Sequence, residues 1–233
     1  MTSPFRELLL MRFRTFWREP YAFVWPLALQ VAFAVPVFLA RRDADASSVI
    51  VLSGAFGGMW GVGWPLVHMR ITGLLRRFAA TPMPRATFLV VFVLHRMCIA
   101  LLEALLVGGV VRLSMPTVLP VPLFVFVAVA TVVAVTHGAI ALLVISRAVN
   151  MEMALNLMNL ALWPSVLCSG IFVRVPSWLE SLTSFTPIGA HLALFRAIAE
   201  PAVSPLAAFE PALVLAAWTA LAFGVSTRIF RWA

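Results

Sequence analysis

Arg96 and Glu103 are opposite charges seven positions apart inside an apolar run, and of all the side chains here they most directly suggest chemistry. Seven residues are about two helical turns, so both side chains fall on one helix face, roughly 10 Å apart along the axis. An ionisable group at membrane depth is costly and marks a functional candidate, such as a proton relay or a polar translocation path. The alternative has Arg96 snorkelling toward the cytoplasm and Glu103 bonded to a neighbouring helix.

Other polar groups are sparse. His95 and His137 add titratable rings, and Asn156 and Asn159 could line the same path or hydrogen-bond across helices. Ser53-Gly54 and Ser169-Gly170, with His191, lack the motif context of an activated serine. His68, His95, His137 and His191 could serve as haem ligands, but no two lie on one apolar run at a spacing that pairs them across a bundle. Cys98 and Cys168 form no Cys-x-x-Cys pair, so neither a disulfide framework nor a metal knuckle is indicated.

The composition dictates what must hold these residues. With 63% hydrophobic and 11% charged residues and a mean hydropathy of +1.02, the 233-residue chain has too little polar surface for a water-soluble domain. It reads as an all-α polytopic membrane protein forming a single transmembrane domain over residues 1–233. All 17 basic residues are arginine. In a membrane chain the net charge of +8 sets topology and lipid headgroup contact, and nucleic acid is not expected as a partner.

At the roughly 20 residues a bilayer requires, the apolar runs give six spans: 21–40, 48–68, 87–111, 123–145, 153–172 and 207–227. With both termini in the cytoplasm, 11 arginines lie inside and 5 outside, with Arg96 within a span. The N-terminal 20 residues form no signal-like apolar core and are expected to be retained. Phe5, Leu9, Phe13 and Phe16 share one side of a helical wheel, opposite Glu7, Arg14 and Arg18, as in an interfacial amphipathic helix. Arg12 departs from that pattern. Residues 173–201 are too polar to span and too apolar for a loop; they read as an external re-entrant helix pair broken near Thr186-Pro187.

Two further patterns concern helix packing and the break at 69–87. Gly54, Gly57, Gly58 and Gly61 supply overlapping G-x-x-x-G spacings, which admit another helix backbone at close range. The basic break at 69–87 is the one sizeable cytoplasmic connection between spans. Residues 71–80 form a helix of under three turns that Pro82 and Pro84 stop, and a short stiff helix can transmit a push.

Arg18-Glu19-Pro20 followed by Phe23 and Trp25-Pro26, then Gly73-Leu74-Leu75-Arg76-Arg77 with Ala80-Thr81-Pro82 and Arg85, then Ser169-Gly170-Ile171-Phe172 with Pro176, Trp178-Leu179 and Pro187, run in a distinctive order. Over nearly the whole chain this order resembles the membrane subunit of an ATP-binding-cassette exporter of the ABC-2 permease family. The family often carries acidic residues just before the loop glycine, where His68, Met69 and Arg70 stand here.

The resemblance implies a permease in a bacterial inner membrane that exports a hydrophobic or amphipathic compound: a drug, lipid, glycolipid or peptide. It implies a partner ABC ATPase, a second permease copy (identical or related) and contact with membrane lipid. The ATPase would meet Arg70, Thr72, Leu75, Arg76, Arg77, Thr81, Pro82 and Arg85. No G-x-x-x-x-G-K-[ST] sequence occurs and no lysine is present to build one, so no cofactor is expected in this chain, with ATP and Mg on the partner. Arg96, Glu103, Asn156 and Asn159 are the candidates for the translocation path. The rival reading is a proton-coupled secondary transporter using Glu103, against which stands the lack of an obvious internal repeat.

Overall fold

A chain this apolar must satisfy its backbone polar groups internally, and helices do so within each segment. The computed structural model describes residues 4–18, 24, 27–28, 31–32, 46–114, 122–172, 175–199 and 205–232, and every regular element among them is helical. In order these are α1 (Pro4–Arg18), α2 (Ala46–Ile71), α3 (Leu74–Ala79), α4 (Arg85–Ser114), α5 (Leu123–Ile145), α6 (Met151–Cys168), α7 (Ser177–Thr183), α8 (Pro187–Ala199), a 3-10 turn (Pro205–Ala208) and α9 (Phe209–Ile229).

Four described helices are long and apolar enough to cross a membrane: Ser47–Ile71, Arg85–Gly109, Leu123–Ile145 and Leu206–Ile229. They correspond to the second, third, fourth and sixth expected spans. The first, 21–40, lies almost wholly outside the described residues. The fifth is the 18-residue α6, which carries Glu152, Asn156 and Asn159 and is not among those four. Asn150 caps α6, its side-chain oxygen accepting the Met153 N–H at 2.8 Å.

The centre of the bundle is the α2–α5 pair, and glycine makes it possible. A β-carbon at Gly58 would stand 2.3 Å from the Ala134 carbonyl oxygen, and one at Gly54 2.8 Å from the Val133 Cβ. Both are closer than real β-carbons approach, so only bare backbone fits. Gly57 lies on the same buried helix. α2 is the most enclosed of the four long helices and α9 the least. α9 is tied back by the Thr136–Thr219 hydroxyl pair at 3.0 Å and by the Trp218 Nε1–H, which donates to the Phe185 carbonyl at 2.9 Å.

The expected break near Thr186-Pro187 falls in the turn between α7 and α8. Much of α8, from Pro187 to Phe195, is buried by the protein itself, whereas α7 and its turn expose Trp178, Leu182 and Phe185. The expected lever over 71–80 is shorter in the structure. α2 runs on to Ile71, Gly73 adopts φ 73° and turns the chain, and α3 spans six residues. Glycine is favoured at such a left-handed position because a side chain there costs about 1–2 kcal/mol.

Candidate functional site

The 72–84 connection has an anchored side and an open side. Thr72 caps the end of α2 through its hydroxyl, which donates to the His68 carbonyl at 2.9 Å, and the Thr81 hydroxyl closes α3 on the Phe78 carbonyl at 2.7 Å. Leu75 is wholly buried beneath α3 and Phe78 packs on Phe88 at 5.3 Å between ring centroids. Thr72, Arg76, Arg77, Thr81, Pro82 and Arg85 are exposed. The short helix is thus fixed from below by apolar contact and presents arginines outward.

Leu75 and Arg70, also named as ATPase contacts, do not share that outward face. Leu75 is the apolar anchor and has no exposed surface to offer a partner. Arg70 is half-buried and turned inward: its guanidinium donates to the carbonyls of Ile145 at 2.8 Å, Ser146 at 3.1 Å and Arg231 at 2.8 Å, and also to that of Ala148. The last carbonyls of a helix lack intrahelical partners, and a planar guanidinium with five donors suits them.

Beside the connection lies α1. Its Leu8 is buried, and Arg12, the residue that departed from the amphipathic pattern, is buried with its guanidinium 4.3 Å from the Phe92 ring centroid. That contact explains how a cation sits on the apolar face. Phe13 and Phe16 pack edge-on against His95 at 5.0 and 6.0 Å. Between α1 and the 78–87 stretch opens a cleft of about 1180 Å³, lined by Phe5, Leu8, Met11, Phe78, Pro82 and Met83 with Glu7, Arg14 and Arg18. A cleft with an apolar floor and an arginine-bearing rim has the make-up of a partner-binding surface.

Within the bundle, Arg96 and Glu103 are paired through both carboxylate oxygens, with NH1 to Oε1 at 3.1 Å and a close NH2 to Oε2 contact, each side chain only 2% exposed. Both borders of the pair are helical: Gly61 of α2 faces Arg96, and the small cavity at the pair is lined by Ser53, Gly54 and residues of α4 and α5. Asn156 and Asn159 are not brought to this pair. Asn156 is exposed on α6 with Glu152, Met153 and Leu160, and Asn159 is half-buried.

The structure also joins two histidines that spacing within single spans could not relate. The rings of His137 of α5 and His191 of α8 meet tilted at 5.4 Å between centroids, each Nδ1 bonded to the carbonyl four residues earlier, at 2.9 Å on Val133 and 2.5 Å on Pro187. Among the described residues no group of three or more His, Cys, Asp or Glu could hold a metal ion.

No curated protein sequence matches this chain closely enough to compare. A protein-family model described as "ABC-2 type transporter" matches residues 4–199, which include α1, the basic connection, the buried pair and the α7–α8 turn. The chain therefore belongs to the ABC-2 type transporter family, as a multi-pass membrane permease component of a transporter.

Proposed function

We propose that this permease is the membrane subunit of a split, ATP-driven exporter, and that a separate ABC ATPase docks on the 72–84 connection and the adjoining cleft. The observation that carries the reading is the two-sided build of α3: Leu75 and Phe78 are packed inward while Arg76 and Arg77, like Arg85 at the start of α4, are exposed. A surface held in this way passes displacement to the helices beneath it, which a loosely tethered loop would dissipate. The arginines, with Arg14 and Arg18 on the cleft rim, suit an acidic or carbonyl-rich partner face.

In this reading the connection and both chain termini face the cytoplasm of a bacterium, the membrane is the inner one, and two permease copies face each other above two ATPase subunits. ATP and Mg are held by the ATPase. The cargo is a hydrophobic or amphipathic compound, a class suited to spans with few charges. Asn156 and Glu152, polar and exposed on α6, are natural positions for a face covered by the second copy or lining the route between copies.

The rival is proton-coupled transport through Glu103. A carboxylate held by both oxygens on one guanidinium, at 2% exposure, is built as a structural pair, which supports the ATP-driven reading. The deciding experiment places the permease in proteoliposomes with its cognate ATPase and a fluorescent amphipathic dye inside or outside the vesicle. Dye movement that requires ATP and persists when a protonophore is added supports the proposal. Movement without the ATPase that collapses with the proton gradient overturns it.

A further inference from the structure

The inward-turned Arg70 and the segment at 230–232 form a continuous contact that reaches from α3 to the ends of α5 and α9. Phe88, wholly buried at the start of α4, touches Phe78 of α3 at 5.3 Å, Trp232 at 4.8 Å and Phe230 at 6.1 Å. Phe230 and Trp232 meet edge-on at 5.4 Å. The Arg70 guanidinium lies 5.5 Å from the Phe230 ring and donates to the Arg231 carbonyl, while the Arg231 N–H donates to the Ser146 carbonyl at 3.2 Å. Residues 230–232 lie beyond the stretch that the family model matches.

We infer that Arg70, Phe230 and Trp232 are positioning residues, a clasp through which displacement of α3 reaches α5 and α9 as well as the adjoining α2 and α4. The inference rests on the reading of α3 as the ATPase seat. Its physical basis is that close-packed rings and a rigid four-carbonyl fork move together, so that the inward contact of Phe78 on Phe88 is continued to the ends of α5 and α9. Without the clasp the ATPase still binds, because its contact surface faces away, but the α5 and α9 ends no longer follow.

The test compares Trp232→Ala and Arg70→Lys with wild type and with Trp232→Phe, which keeps an aromatic ring. Lysine keeps the charge but cannot fork across four carbonyls. In the permease alone, amide hydrogen exchange at Leu75 to Ala79 is expected to quicken about tenfold in the first two variants and to stay near wild type in Trp232→Phe. With the cognate ATPase, binding is expected to be retained while permease-stimulated ATP hydrolysis falls about tenfold. Unchanged exchange, or unchanged stimulation in both variants, overturns the clasp. Failure of wild-type permease to bind the ATPase instead removes the docking reading, and the exchange measurement still decides whether the clasp holds α3.

Discussion

The Arg96 guanidinium lies against the bare backbone of Gly61, where a β-carbon would stand 2.6 Å from the Arg96 Cδ and Nε. Glycine at 61 thus leaves the room that the buried cation occupies. At Gly58 the obstacle is different, because the atom met is the Ala134 carbonyl oxygen of the neighbouring backbone, at 2.3 Å. A side chain can rotate away and a helix backbone cannot. Gly58→Ala should therefore cost more than Gly61→Ala, with a loss of about 1–3 kcal/mol for the former. Thermal unfolding of the two variants in detergent, followed by size-exclusion fluorescence, checks the order.

The Arg96–Glu103 pair yields a second expectation. Replacing Glu103 with alanine leaves a buried guanidinium uncompensated and should cost about 3–5 kcal/mol, whereas the double change Arg96→Met with Glu103→Leu should recover most of it. A double-mutant cycle on folded yield and unfolding midpoint measures this. If the double variant still supports ATP-dependent dye movement, the pair is structural; if it folds and is inert, the pair serves transport directly.

Gly189 lies in the first turn of α8, against the turn from α7. A β-carbon there would stand 1.9 Å from the Thr183 carbonyl oxygen and 2.6 Å from its carbon, the same carbonyl that accepts the Thr186 hydroxyl at 2.7 Å. Gly189→Ala should force the two helices apart at a cost of about 3 kcal/mol, at the upper end of what overpacking exacts. Limited proteolysis across residues 181–187 should then cut the variant faster than wild type.

How far the sequence could be read depended on whether a residue's partner was near it in the chain. Apolar runs report themselves, so 123–145 matches α5 residue for residue, and the 48–68 and 87–111 runs differ from α2 and α4 only at their ends. The Gly54–Gly58 spacing likewise falls where the α5 backbone comes close, whereas Gly61 meets the Arg96 side chain instead. Arg70 was not legible in the same way. A basic residue beside a loop reads as surface, and the carbonyls that claim it are 75 to 161 positions away. Arg12 broke an amphipathic pattern because its partner, the Phe92 ring, belongs to α4. The same limit hid the His137–His191 contact, which only the packing of α8 on α5 creates.

In the proposed function the exposed arginines of α3 receive a soluble ATPase. The most direct measurement is the affinity of purified cognate ATPase for the detergent-solubilised permease, wild type against Arg76→Glu with Arg77→Glu, with correct folding checked by an unchanged unfolding midpoint. Both side chains are exposed, so the fold should survive the reversal of charge. Clear binding by wild type and a loss of about 100-fold or more in the variant are expected, because like charges replace complementary ones. Equal binding by the two proteins would contradict the proposal.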